Sequence, residues 1–349
     1  LLASIRPSTL LLRVDGFGWQ DCLATGPGSA ILGSLLFSAL FLSPMSAKFL
    51  LRVAGTLLLA WAAAAACVAL HTPLPWMLGP LVATSVLSMA GAPTESWGPL
   101  RNGGQWAIGA ALGLYFTPEV SALVGSLWWA IVLGIGWALL LGWGFGAWLY
   151  RLHAPRMHGV PASMLRSTSY FAGAIGAASE MTLLSERENA RTDLVAASHS
   201  LRLLIVTITI PFALQWSGLQ GLDILTPTVR DVSWPGLALL ALLTGAGALV
   251  MDRLGRANPW FMGAMLVSMA VTMAGLHLSA VPQAVVNAAQ LVIGVSLGVR
   301  FRAEFLHTAP RWLASVAVGT FGLMGICAAF AAVLAWATGL PWVTLLLGT

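Results

Sequence analysis

Long apolar runs separated by short polar turns dominate the chain: Leu57–Leu70, Leu123–Leu149, Leu203–Leu214, Leu237–Met251 and Trp312–Ala337. A helix that crosses a bilayer needs about 20 mostly apolar residues, so the pattern predicts about ten spanning or partly spanning segments. Two of the apolar stretches are written twice. GQWAIGAALGLYFTPEV, Gly104 to Val120, reads as one apolar helix, and AAQLVIGVSLGVRFRAEFL, Ala288 to Leu306, repeats it. With Gln105 set on Gln290, Ile108 falls on Ile293, Gly109 on Gly294, Gly113 on Gly298, Phe116 on Phe301 and Glu119 on Glu304. Upstream of each lies a second matching pair, LPWMLGPLVATSVLSMAG (Leu74–Gly91) and NPWFMGAMLVSMAVTMAG (Asn258–Gly275). A weaker third pair joins His158–Ser169 to Thr338–Thr349.

Internal repetition at this length signals a duplicated module. The matches divide the chain into copy 1, residues 45–218, and copy 2, residues 219–349. Copy 2 stops where copy 1 reaches Ser169, so it is expected to be incomplete at its C-terminus. Met45, with Lys48 and Arg52 ahead of a long apolar run, looks like the native start, which makes residues 1–44 an upstream extension. A signal peptide or an extra N-terminal helix are the other readings of that segment, whose apolar run Ala30–Leu42 is short for a span.

Charge then orients the copies. Lys and Arg gather in cytoplasmic loops. In copy 1, Lys48 and Arg52 precede the first span, Arg101 follows the second, and Arg151 and Arg156 follow the fourth. In copy 2, Arg253 and Arg256 follow the first span and Arg300, Arg302 and Arg311 follow the third, the opposite phase. Arg230 and Asp231 are an exception, falling outside in this scheme. The predicted fold is therefore an all-α polytopic membrane protein. It has two inverted repeats of about five transmembrane helices each, with a broken or re-entrant segment in copy 1. The Met45 side is cytoplasmic.

Composition agrees: 58% of residues are hydrophobic, 8% are charged, and mean hydropathy is +0.86. A soluble domain carries about 25% charged residues. The net charge of +5 fits cytoplasmic loops better than a nucleic-acid partner, since no basic run with interleaved aromatics occurs. Cys22, Cys67 and Cys327 are far apart, and the six histidines show no i,i+4 pair. No metal, cofactor or catalytic residue is expected. Inverted repeats point to a secondary transporter, with its site where a helix is broken near the midplane.

The best such segment is GVPASMLRSTSYFAGAIGAASEMTLL, Gly159–Leu184. Ser167, Thr168, Ser169, Ser179 and Glu180 make it too polar for a lipid-facing helix, and Gly173 and Gly176 make it too glycine-rich. Such backbone survives at membrane depth only inside protein or beside water. Glu180 either binds a proton, cation or amine or lies at the cytoplasmic end near Glu186–Asp193. His199 and Arg202 open the next span; Arg202 either snorkels to the interface or faces inward, toward Glu180 or an anionic substrate. Gln105 and Gln290 need partners if buried, either each other or substrate. Gly109/Gly113 and Gly294/Gly298 are GxxxG pairs suited to helix packing, expected to cross each other near the symmetry axis. Trp76 and Trp260, at Pro-Trp helix starts, suit an interfacial aromatic belt.

LPWMLGPL, the GQxxIGxxLG helix in both copies, Glu180-Met181 after a glycine-rich stretch, and the His199-x-x-Arg202 helix together resemble the AbrB-type inner-membrane proteins of bacteria. The resemblance runs from about Met45 to the end of the chain. It implies a duplicated transporter-like protein of the bacterial inner membrane, with a small-molecule or ion substrate. It also brings a link to regulation of gene expression, although the small DNA-binding AbrB is a different protein. The family normally carries the Glu-Met stretch and final helix in both halves, whereas copy 2 here ends at Thr349. A membrane regulatory or interaction protein without transport is the alternative. The ammonia monooxygenase label that such proteins carry is the least favoured reading, because ammonia oxidation needs a metal centre and no ligand cluster is visible. The partners expected are the lipid bilayer and an unknown small molecule or ion, with no nucleic acid; homo-oligomerisation stays open.

Overall fold

The computed structural model describes residues 47–155, 157, 159–176, 178–217, 231–301 and 309–339. The expectations for residues 1–44, for the last ten residues, and for Arg302 and Glu304 lie outside them. Among the described residues the chain is all-helical, with twelve helices. In chain order these are α1 Ala47–Ala69, α2 Pro75–Met89, α3 Gly98–Gly113, α4 Pro118–Ser126, α5 Trp128–His153 and α6 Ala162–Gly173. They continue as α7 Ala178–Arg187, α8 Thr192–Ser217, α9 Trp234–Arg253, α10 Pro259–Met273, α11 Gln283–Gly298 and α12 Pro310–Thr338.

Five of them, α1, α5, α8, α9 and α12, are long and apolar enough to cross a membrane, and the bent pair α3–α4 makes up to six. Their outward residues are large and apolar, among them Leu133, Leu139 and Trp143 on α5 and Val318, Phe321 and Val333 on α12. This is a multi-pass membrane protein.

Three expectations change here. The Pro-Trp helices α2 and α10, with 15 residues each, and the glycine helix α11, with 16, are not full spans: they measure roughly 22–24 Å at 1.5 Å per residue. That is short of a hydrocarbon core of about 30 Å. The stretch from Gly104 to Val120 is not one helix either. It bends by 81° between α3 and α4, where Thr117 accepts a hydrogen bond from the Val120 amide and Pro118 takes the first turn. Nor do the GxxxG pairs cross each other. Gly109 lies against the Phe261 backbone and Gly113 against Met265, Ser268 and Met269, all on α10. Gly294 lies against Met77, Pro80 and Leu81, and Gly298 against Leu81 and Thr84, all on α2.

Those contacts are reciprocal. Met77, Leu81 and Thr84 are the sequence counterparts of Phe261, Met265 and Ser268. Each glycine helix therefore packs on the Pro-Trp helix of the other copy. The glycines permit this because a Cβ on Gly113 would stand 2.7 Å from the Met265 carbonyl oxygen, and one on Gly294 2.6 Å from that of Met77. Ser268 reinforces one joint by donating to the Ala110 carbonyl at 2.8 Å. The glycine helices meet each other one turn earlier, where a Cβ on Gly104 would stand 3.2 Å from the Ala289 carbonyl oxygen. Gly79 sits on Ala63 and Ala64 of α1, as Gly263 sits on Gly247 and Ala248 of α9. Leu74 and Asn258, ahead of the two Pro-Trp starts, share a left-handed backbone at φ 44° and 47°. Trp76 does not stand in a free aromatic belt; it is half-buried against Ala60, Leu291 and Val295.

One further pairing differs between the copies. The Trp106 indole donates to Thr244 Oγ1 at 3.0 Å. The counterpart residues, Leu291 and Ala60, make an apolar contact. Helices α2, α3, α9, α10 and α11 thus pack on one another, while α5, α6, α7, α8 and α12 form a second group. The core of that second group is Phe145, Leu149, Leu165, Ala172, Leu194, Ala197, Trp312, Leu313 and Val316.

Gly294→Leu forces side-chain atoms into the Met77 backbone and is expected to cost about 1–3 kcal/mol as overpacking. Thermal unfolding in detergent checks this, with Gly103→Ala, where a Cβ meets open space, leaving the midpoint unchanged or higher.

Candidate functional site

Helix α6 is short for a reason visible in its last turn. At Ala174 the backbone swings to φ −56°, ψ 150°, leaving the helix. The next helix begins at Ala178. The last four carbonyls of any helix lack intrahelical partners. The Ala174 amide bonds back to the Tyr170 carbonyl at 2.8 Å. Side chains of α8 take the rest. His199 Nε2 lies 2.9 Å from the Phe171 carbonyl oxygen, so the Nε2–H tautomer donates there. Arg202 Nη1 donates to the carbonyls of Ala172 at 3.1 Å, Gly173 at 3.2 Å and Ala174 at 3.4 Å. The end of α6 carries the negative pole of the helix dipole, and the guanidinium meets it.

The other side of the guanidinium faces α5. Its carbon lies 5.3 Å from the centroid of the Phe145 ring, a cation–π contact. Close packing of α5 on α6 holds this arrangement. Gly173 rests on Gly146 and Gly142, and a Cβ on Gly146 would stand 2.9 Å from the Ser169 carbonyl oxygen.

The polar residues of the break divide by role. Thr168 is buried; it donates to the Met164 carbonyl at 2.7 Å and accepts from the Arg191 amide at 2.9 Å. It ties α6 to the turn before α8, where Arg191 and Asp193 form an ion pair of 2.6 Å. Ser169 has no exposed surface, and its Oγ has no hydrogen-bond partner. Ser167 is half-buried, while Gly176 is exposed, with the Met181 thioether beside it. Ser179 and Glu180 stand in the first turn of α7, and Glu180 is exposed. Among the described residues the ion pairs are Arg52–Glu95 and Arg191–Asp193, so Arg202 is not paired with Glu180. Gln105 and Gln290 flank the crossing of α3 and α11, half-buried and not bonded to each other.

Several participants carry no motif. Phe145 looks like one more aromatic in an apolar run. Trp312, fully buried, donates to Ser198 Oγ at 2.9 Å. The His153 ring lies 4.8 Å from Trp312, and its Nε2 is 3.1 Å from Ser315 Oγ. A tryptophan one residue after Pro-Arg at the start of a span is the sole sequence hint that α12 docks on α8.

A family model described as transition state regulatory protein AbrB matches residues 76–349. The chain belongs to the AbrB family. No curated protein and no solved structure matches it. The AbrB match spans α6, the break, α7 and α8 as well as both glycine helices, so the carbonyl clamp belongs to the family region and not to the N-terminal segment.

Arg202→Gln removes three charge-assisted contacts from the end of α6. A hydrogen bond to a charged group contributes about 1.5–3 kcal/mol, so amide exchange across Ala174–Leu184 is expected to speed up by about tenfold or more. Hydrogen-exchange mass spectrometry in nanodiscs reads this, with α10 amides as the unaffected reference.

Proposed function

We propose that this AbrB-family protein is a secondary transporter of a small solute, with the break between α6 and α7 as its binding site. The observation that carries the reading is Arg202. It lies at the eleventh of the 26 residues of α8, roughly 15 Å along a helix of about 39 Å, and it serves a broken helix. An ionisable side chain at that depth is costly and serves function by default. Broken helices around a central site are the common design of transporters built from inverted repeats. The reciprocal packing of α2 on α11 and of α10 on α3 supports two copies related by a pseudo-twofold. The arginine pattern of the loops supports inversion, with the Met45 side cytoplasmic in a bacterial inner membrane.

Alternating access then amounts to motion of the α5–α8 and α12 group against the group formed by α2, α3 and α9–α11. The family description favours a second reading, a membrane regulatory protein that does not transport. One labelling experiment separates them without a known substrate. With Cys22, Cys67 and Cys327 replaced by serine, a single cysteine is placed at Ser179. A membrane-impermeant maleimide is expected to label it from either face of oriented vesicles. Labelling from one face alone favours the regulatory reading.

No catalysis is assigned to the chain. An ammonia-oxidising enzyme would need copper or iron, so metal analysis of the purified protein is expected to return well under one equivalent of either.

A further inference from the structure

The sign of the site's charge narrows what it carries. A guanidinium offers five N–H donors in a planar fork. Arg202 directs Nη1 at the three carbonyls. Among the described residues, its Nε–H and both N–H groups of Nη2 have no hydrogen-bond partner. Among the described residues no carboxylate pairs with it: Glu180 is exposed and unpaired with it, and Asp193 is engaged by Arg191. Carbonyl dipoles and the Phe145 ring are its counter-charge. The carbonyl cradle at a broken helix end is where a transporter would otherwise hold a cation, and here the protein's own cation fills it. Ser169, one turn before Gly173 on the same helix, adds a fully buried hydroxyl without a partner.

We infer that the solute is a small carboxylate, held by the free edge of the Arg202 guanidinium with the Ser169 hydroxyl as a further donor. Two parallel N–H···O bonds from Nε and Nη2 match a carboxylate in geometry as well as charge. This rests on the transporter reading for the location of the site. It departs from the expectation of a cation or amine held by Glu180, because the charge that meets the carbonyls of the break is positive.

The test uses the full chain in nanodiscs and four probes: acetate, succinate, inorganic phosphate and methylammonium. Acetate or succinate at millimolar concentration is expected to raise the unfolding temperature by several degrees, with methylammonium inert. Arg202→Lys, which keeps the charge and loses the fork, is expected to weaken that response at least tenfold. Glu95→Gln, in a separate ion pair, leaves it unchanged. Phenylglyoxal modification of the wild-type chain serves if the variant does not fold, with succinate slowing modification of the Arg202 peptide several-fold.

Three outcomes overturn the inference: stabilisation by methylammonium or phosphate but not by carboxylates, an equal response in Arg202→Lys, or no carboxylate effect on either melting or modification. Carboxylate binding without flux in liposomes would sink transport and leave the ligand class standing. Methylammonium flux without carboxylate binding would do the reverse.

Discussion

The carbonyls at the end of a helix need donors from outside it, and the packing of α5, α6 and α8 on one another follows from that constraint. An unbroken helix satisfies its own backbone. Helix α6 stops at Gly173, and four consecutive carbonyls, Phe171 to Ala174, then require donors from elsewhere. His199 and Arg202 supply them from α8, one turn apart on the same face. That requirement fixes the register of α8 against α6. It also draws α5 in, because Phe145 covers the guanidinium and Gly142 and Gly146 let the backbones touch. The break, the charged residue and the glycines form one solution, and removing any part exposes the others.

The second group of helices answers a different problem. Helices of 15 or 16 residues do not reach across a bilayer alone, and their ends must be buried by neighbours. Each Pro-Trp helix lies along a glycine helix from the other copy, close enough that backbone meets backbone. Close approach substitutes for hydrophobic drive, which lipid removes.

The membrane class and the all-helical fold are legible in the pattern of residues, because the composition and the long apolar runs set both. What sequence reading missed was partnership. GxxxG announces a close crossing but does not name the other helix, and the nearest guess, its own twin, was wrong. The bend at Leu114–Thr117 was hidden because apolar residues continue through it and Thr117-Pro118 reads equally well as a loop or a helix start. Arg202 was marked as a charge in a span, yet its partners are backbone carbonyls, which sequence does not display. Phe145 and Trp312 were invisible for the same reason: one aromatic among many carries no label for what it covers.

Trp106 and Thr244 share a directional hydrogen bond, whereas Leu291 and Ala60 share a dispersion contact that slides without penalty. Helix α3 is therefore indexed on α9 more firmly than α11 is on α1. The two matched joints differ, one directional and the other not. A substitution at Thr244 therefore loosens the joint of α3 with α9 and leaves that of α11 with α1 untouched.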